Sequence, residues 1–484
     1  MLYNSVEFGV MFVLTLVIYY IIPKKQQWKY LLVVSYLYYF AFSFKYTLLL
    51  FGVTVITYYI AIRLENYTSI DKRKCCLIIG VVLNVFLLSI FKYSQWIYTT
   101  VINLGNKFFS QNNVSTFNII IPVGISFYTF RIISYLMDVY QGKIKPEKNL
   151  GKYALYLSFF PQIVSGPIER SNNFLPQLEK GYSFNYDKVK EGGWLFVWGL
   201  LKKIVIADRL ALLVNQIFDN VSDYSTVYYL VAIIFFTFQI YFDFAGYSDM
   251  AIGCTKMLGM SSIINFNRPY FAKSIGEFWR RWHISLSTWF RDYLYIPLGG
   301  NRVTKKRWML NMMIVFVVSG LWHGANWTFC IWGALHGIYQ IIGRITREKR
   351  DKLIKILHID KEKILYKILA VTVTFLLVAY AWMFFRANSI EDAIHITKAI
   401  FIWDFSVWDI SLLGMQKQDL IFSLIILLCY FILEFLQHKV SLWDKLQEQI
   451  LPVRWSIYLI MLFVCIMFGI YGDLSSNTFV YFQF

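Results

Sequence analysis

Charge is scarce in this chain. Only 16% of its 484 residues are Asp, Glu, Lys or Arg, against 58% that are apolar. Together with many long uncharged runs, that balance excludes a soluble globular protein and points to helices that cross a bilayer. Acidic groups are the scarcer sign, 29 against 47 basic ones, for a formal charge of +18. The basic residues form no long single-signed tail or nucleic-acid motif, so no nucleic-acid partner is expected. Most of them sort to loops on one side of the expected spans, which fixes orientation by the positive-inside rule. Cysteines Cys75, Cys76, Cys254, Cys330, Cys429 and Cys465 have no metal-ligand spacing. They read as small core residues, and neither a redox role nor a bound metal is expected.

Several catalytic patterns are missing as well. There is no GxSxG elbow, HExxH helix or GxxxxGK[ST] phosphate loop. FWRRWH has the Arg-Trp of a processive polysaccharide synthase motif but not its glutamine, and no large cytosolic nucleotide-sugar domain exists. No internal repeat, low-complexity tract or heptad pattern is present. The first apolar stretch lacks a basic leader and a small-residue cleavage site, so it is expected to stay as a transmembrane helix.

What remains is an all-α polytopic membrane protein, residues 1–484 as one membrane domain. Spans are expected at about 6–22, 28–44, 46–62, 75–91, 117–138, 192–214, 227–243, 365–385, 419–437 and 455–472; with the hairpin described below the total is about 11–12. Lys24, Lys25, Lys29, Arg63, Lys72, Arg73 and Lys74 share one side, which puts the amino terminus outside and makes 92–116 an exterior loop. Crossing parity puts the last twelve residues, with Tyr481, outside as well. Segment 153–168 is apolar but short and broken by Pro161, Gly166 and Pro167, which suits a re-entrant or interfacial piece. Arg131, Lys202, Lys203, Asp208, Arg209, Asp243 and Asp249 are expensive in lipid. For Asp243 and Asp249, pairing with Arg131, Arg209 or Lys256 is favoured over catalysis.

Residues 277–337 hold His283, His323 and His336, half of the chain's six histidines. In 277–296, Phe278, Trp282, Leu286, Trp289, Tyr293 and Ile296 recur at helical spacing, opposite Arg280, His283, Ser287 and Arg291. The pattern predicts one amphipathic helix on the membrane surface. After it, two apolar runs of about 15 to 17 residues meet at His323-Gly324-Ala325-Asn326, and both outer ends are basic. They predict a hairpin whose arms reach roughly 22–25 Å into a hydrocarbon core of about 30 Å. An imidazole at a helix break at that depth is tolerated where it lines a cavity or is buried in protein. The competing reading is a core histidine satisfied by a neighbouring carbonyl, and it is preferred for His336.

WRRWHISLSTWFRDYLYIPLGG and GLWHGANW resemble the signature blocks of the membrane-bound O-acyltransferase family, in the bacterial branch that O-acetylates alginate, other exopolysaccharides and peptidoglycan. FFPQIVSGPIER (159–170), FDFAGYSDMAIG (242–253) and the terminal FVYFQF match the same branch, so the resemblance covers nearly the whole chain. It implies re-entrant and interfacial helices around a funnel to a buried histidine, an acyl donor that faces the cytoplasm, and an acyl group that leaves on the other side. The family's essential histidine, in the LWHG-type motif, falls on His323. His283 is the second signature histidine, expected to contact donor or acceptor. Donor-binding side chains are expected among Arg280, Trp282, Arg291, Trp322 and Asn326; Trp322 and Asn326 also flank the base and could orient its ring. Tyr481, in the terminal aromatic motif, is expected either to accept the acyl group and present it to a separate extracytoplasmic acetyltransferase-like protein, or simply to anchor the tail at the membrane interface, where tyrosine is common.

Acyl transfer from a thioester suits this inventory, because the donor is already activated and the protein mainly positions it and removes a proton. A desolvated imidazole stays neutral, the form a base needs. The expected activity is O-acetylation of a cell-envelope or extracellular polysaccharide with acetyl-CoA as donor, at the bacterial cytoplasmic membrane. Teichoic-acid D-alanylation from an aminoacylated carrier protein is the alternative enzyme; IPLGGNR after RDYLY, and the length of chain beyond it, look more like the acetylating branch. A non-catalytic transporter or flippase is the alternative of another class.

Overall fold

A computed structural model describes residues 2–109, 119–403, 409–436 and 441–471, without the side chains of 103–109. Every element among them is helical, and they divide into two compact units: Met1–Gly193 with Ala251–Ile263, and Trp194–Met250 with Ile264–Phe484. Among the described residues, six helices are long and apolar enough to cross a bilayer: Phe44–Asn66, Ile70–Ile102, Thr226–Met257, Ile364–Arg386, Lys417–Leu436 and Leu451–Phe468. The other expected spans are met by shorter helices or by helices that carry charge.

In the first unit, Val6–Ile21 and Gln27–Phe40 pack through aromatic rings, Phe8, Phe12 and Tyr38 meeting Phe160 at 5.8–6.4 Å. The outward faces of these helices keep Val10, Val13, Leu14, Val33 and Leu37 exposed, as lipid contact requires. The expected exterior loop 92–116 is corrected in its first part: the helix that begins at Ile70 runs on to Phe109. Polar positions there are spaced widely enough that Ser89, Ser94 and Thr99 bond the carbonyl one turn back and leave the helix intact. The segment expected at 153–168 begins as Leu150–Ser158 and Phe160–Ile163, interrupted at Phe159 and buried from Tyr153 onward. Its interruption solves the problem of Arg131. The guanidinium is 1% exposed and donates to the Tyr156 carbonyl at 2.9 Å, the Pro167 carbonyl at 3.3 Å and Gln162 Oε1 at 3.1 Å. Carbonyls that a continuous helix would consume are here available to a buried charge.

In the second unit, the expensive charges pair with one another. Lys203 Nζ lies 2.8 Å from Asp208 and 2.7 Å from Asp243, and Lys202 Nζ lies 2.8 Å from Asp249. Pairing was the right expectation for Asp243 and Asp249, with different partners: Arg209 faces Asp419 at 3.5 Å instead, and Lys256, in the first unit, pairs with Glu191. A wide π-helical turn, Leu201–Ala207, sits at the lysines and releases the Ile204 carbonyl to accept from the Ile470 amide at 2.9 Å. The span expected at 227–243 runs on as one longer helix, Thr226–Met257, because Asp243 and Asp249 are neutralised from the side. That helix is central, with 78% of its apolar stretch buried against 11% for Leu451–Phe468.

The hairpin forms as Lys305–His323 and Trp327–Ile345, broken at Gly324–Asn326. Asn326 caps the second arm by accepting from the Thr328 amide at 3.2 Å and donates to the Asn388 carbonyl at 3.0 Å. Its arms meet backbone to backbone at Gly320 and Gly333, where a Cβ would strike the carbonyls of Phe329 and Phe316.

Candidate active site

The single amphipathic helix expected over 277–296 is two helices, Ile275–Arg281 and Ile284–Phe290, followed by a π-helical turn, Arg291–Tyr295. The break falls at His283, whose φ of 42° is left-handed, an uncommon place for a residue with a Cβ. Residues 265–267 run alongside and hold the break open. The Asn267 amide donates to the Arg281 carbonyl and the Ile284 amide to the Asn265 carbonyl, both at 2.9 Å. Asn265 Oδ1 accepts from Ser285 Oγ at 2.7 Å. The outcome reverses the expected orientation of His283. It turns away from Arg280, which stays exposed, and becomes wholly buried.

The three histidines of the stretch enter one aromatic core. His283 meets the Phe244 ring edge-on at 4.6 Å and Trp322 at 6.2 Å. His323, the last residue of its hairpin arm and 3% exposed, stands against Trp322 at 4.9 Å, Trp332 at 5.1 Å and Phe385 at 5.3 Å. His336 lies across Trp332 at 5.0 Å and accepts on Nδ1 from the Trp279 indole N–H at 3.3 Å. Trp322 therefore bridges His283 and His323, while Trp332 bridges His323 and His336. Neither ring nitrogen of His283, nor Nε2 of His336, has a hydrogen-bond partner among the described residues. Buried polar atoms of that kind call for a ligand, a water or a functional role.

A cavity of about 310 Å³ opens beside this core. Its outer end carries the exposed Arg291 and Arg344 with half-buried Gln340. Arg344 is stacked 4.6 Å over Trp308, a cation–π contact that holds its guanidinium in place. Its inner end is formed by Trp279, Phe316 and Ser319, all less than 10% exposed. Ser319 precedes His323 by four residues, one helical turn, so the closed end of the cavity lies about 6 Å along the helix axis from the histidine's backbone. The cavity wall does not include His323 itself.

Of the expected donor-binding side chains, Arg291 lines the cavity and Arg280 is exposed away from its lining. Trp282 is in the core against Trp382 at 5.0 Å, Trp322 sits between the histidines, and Asn326 is occupied in capping. Tyr481 lies outside the described residues. Sequence reasoning did not single out Trp279, Trp308, Ser319, Gln340 or Trp382. Gln340 and Arg344 carried a readable signal, two polar groups that continue the four-residue spacing from His336 and so lie on one face of the helix. Among the described residues, no group of three or more His, Cys, Asp or Glu is placed to hold a metal ion.

Comparison with known proteins gives the chemistry a context. Residues 147–354 match the model of the membrane-bound O-acyltransferase family. The chain is similar to a probable alginate O-acetylase AlgI of Pseudomonas aeruginosa, 38% identical over 85% of this chain and 77% of that protein. It is equally similar to a peptidoglycan O-acetyltransferase of Helicobacter pylori, 38% identical over 76% of this chain and 73% of that protein. A teichoic acid D-alanyltransferase of Bacillus subtilis is 30% identical over 56% of this chain and 70% of that protein.

Proposed function

The chain belongs to the membrane-bound O-acyltransferase family, and from that premise we propose that it carries acetyl groups from cytoplasmic acetyl-CoA across the membrane for O-acetylation of an envelope or extracellular glycan. The observation that carries the proposal is the cavity. Two arginines stand at its open end and an apolar wall at its closed end, one helical turn from His323. A phosphate-bearing thioester fits that polarity, with its anionic end outward at Arg291 and Arg344 and its acyl end inward.

His323 acts as the base. An acceptor hydroxyl oxygen attacks the thioester carbonyl, its proton passes to the imidazole, the C–S bond breaks, and the proton leaves with the CoA sulfur as a thiol. Tyr481 is the proposed first acceptor, and an extracytoplasmic acetyltransferase-like partner takes the acetyl from its phenolic ester to a glycan hydroxyl. Similarity to the O-acetylating relatives is higher and spans more of the chain than similarity to the D-alanyltransferase, which supports acetyl-CoA over an aminoacyl carrier protein as donor. The proposed site is the bacterial cytoplasmic membrane, with both termini outside.

Release of CoA from acetyl-CoA by the purified protein, followed with a thiol reagent, tests this function. Removing a general base costs typically 10²- to 10⁴-fold, so His323→Ala should lose that much of the rate. A transporter would release no CoA in either form. Full activity in His323→Ala would end the assignment of the base.

A further inference from the structure

We propose that Trp279, held in place by His336, is the partition that ends the donor cavity and keeps the transferred acyl group short. It rests on the cavity being the donor site. One face of Trp279 lines the cavity. Its other side meets His336 at 5.0 Å and Trp332 at 5.8 Å, and Trp332 in turn touches His323 at 5.1 Å. Phe316 completes the wall, 5.3 Å from Trp279, and it too lines the cavity on one side and stacks on His336 at 6.3 Å on the other. The Trp279–Phe316 wall thus closes the cavity on the side of the Trp332–His336 layer, while Ser319, one helical turn before His323, forms the flank of the closed end nearest the base.

The indole is not free to turn. Its N–H donates to His336 Nδ1 at 3.3 Å, and a ring that accepts on Nδ1 carries its proton on Nε2. His336 is thus a positioning residue, burying an imidazole so that the largest side chain of the wall stays across the path. An acyl chain entering from the arginine side has room only as far as Trp279, so each further methylene would have to displace a latched ring. Replacing the indole with a methyl group opens room toward the Trp332–His336 layer. A buried methylene contributes about a fourfold gain in binding, so two more should favour a butyryl over an acetyl donor by about 15-fold relative to wild type.

Initial rates of CoA release from acetyl-CoA and butyryl-CoA give the butyryl-to-acetyl ratio for wild type, Trp279→Ala, His336→Leu and His336→Gln. The ratio should rise about 15-fold in Trp279→Ala. It should rise in His336→Leu, which removes the acceptor of the indole N–H, and stay near wild type in His336→Gln, which offers one again. A ratio in folded Trp279→Ala within about twofold of wild type, less than one methylene's contribution, overturns the partition. Thermal stabilisation by S-ethyl-CoA and S-butyl-CoA keeps the test independent of turnover. If wild type releases no CoA, the proposed function fails separately. Stabilisation of Trp279→Ala but not wild type by S-butyl-CoA then supports the partition, and equal responses overturn it.

Discussion

Lys203 shows at the scale of one side chain what the chain had to solve. Its ammonium is 1% exposed and touches two carboxylates that are themselves almost wholly buried, Asp208 and Asp243. Taking Lys203 to Met leaves those carboxylates facing each other in a low-dielectric interior, a loss of about 3–5 kcal/mol for breaking a buried ion pair from one side. Thermal unfolding in detergent should show a large drop for Lys203→Met. Lys203→Met combined with Asp208→Asn and Asp243→Asn should recover most of it, since no uncompensated charge remains. A single variant as stable as wild type would refute the account. The sequence made these charges conspicuous, because charges inside an apolar run are costly wherever they occur. It did not name their partners: Asp243 lies 40 residues along the chain and on another helix, and nothing local distinguishes Lys203 from Arg131 or Arg209 as its mate. The histidines divide in the same way. His323 at a helix break could be read from the residues beside it, whereas the burial of His283 depends on Asn265, Phe244 and Trp322, which come from three other segments.

The elements follow the same logic one step up. The hairpin was legible because its signals are local: two apolar runs, basic ends, and a Gly-Ala-Asn interruption at which Asn326 supplies the cap. The break in 277–296 was not, because the aromatic spacing continues smoothly through it. Only the neighbouring strip 265–267 pulls His283 into a left-handed conformation. What the sequence also left silent is how closely the hairpin arms lie. At Gly320 and Gly333 the approach is set by the absence of a side chain, so a single methyl must force the arms apart. Gly320→Ala and Gly333→Ala should each lower the yield of folded protein and slow CoA release, although neither residue touches the cavity. Gly343→Ala is the matched control, in the same helix as Gly333 but with open space around its Cβ, and should be neutral or more stable by up to about 1 kcal/mol. Size-exclusion profiles in detergent check all three. Equal behaviour of Gly333→Ala and Gly343→Ala would mean that the close approach does not matter.

In the proposed topology charge orients the whole molecule, and that orientation decides whether the cavity can meet the proposed donor. Arg344 lines the cavity's open end and leads within three residues into the basic helix Arg347–Ile356, so whichever side of the membrane holds that helix holds the cavity mouth too. The positive-inside rule assigns the helix to the cytoplasm, where acetyl-CoA is made. The short connection at 219–225, on the opposite side of the expected topology, carries no Lys or Arg. Both places offer exposed positions for a probe, Lys352 on the basic helix and Ser222 in the connection. In a background with the six native cysteines replaced, Lys352→Cys should react with a membrane-impermeant maleimide only once the membrane is opened, and Ser222→Cys should react in intact cells. The reverse pattern would place the arginines at the outer face, out of reach of a cytoplasmic thioester. The cavity would then have to receive its ligand from outside, and the direction of acyl flow proposed above could not hold.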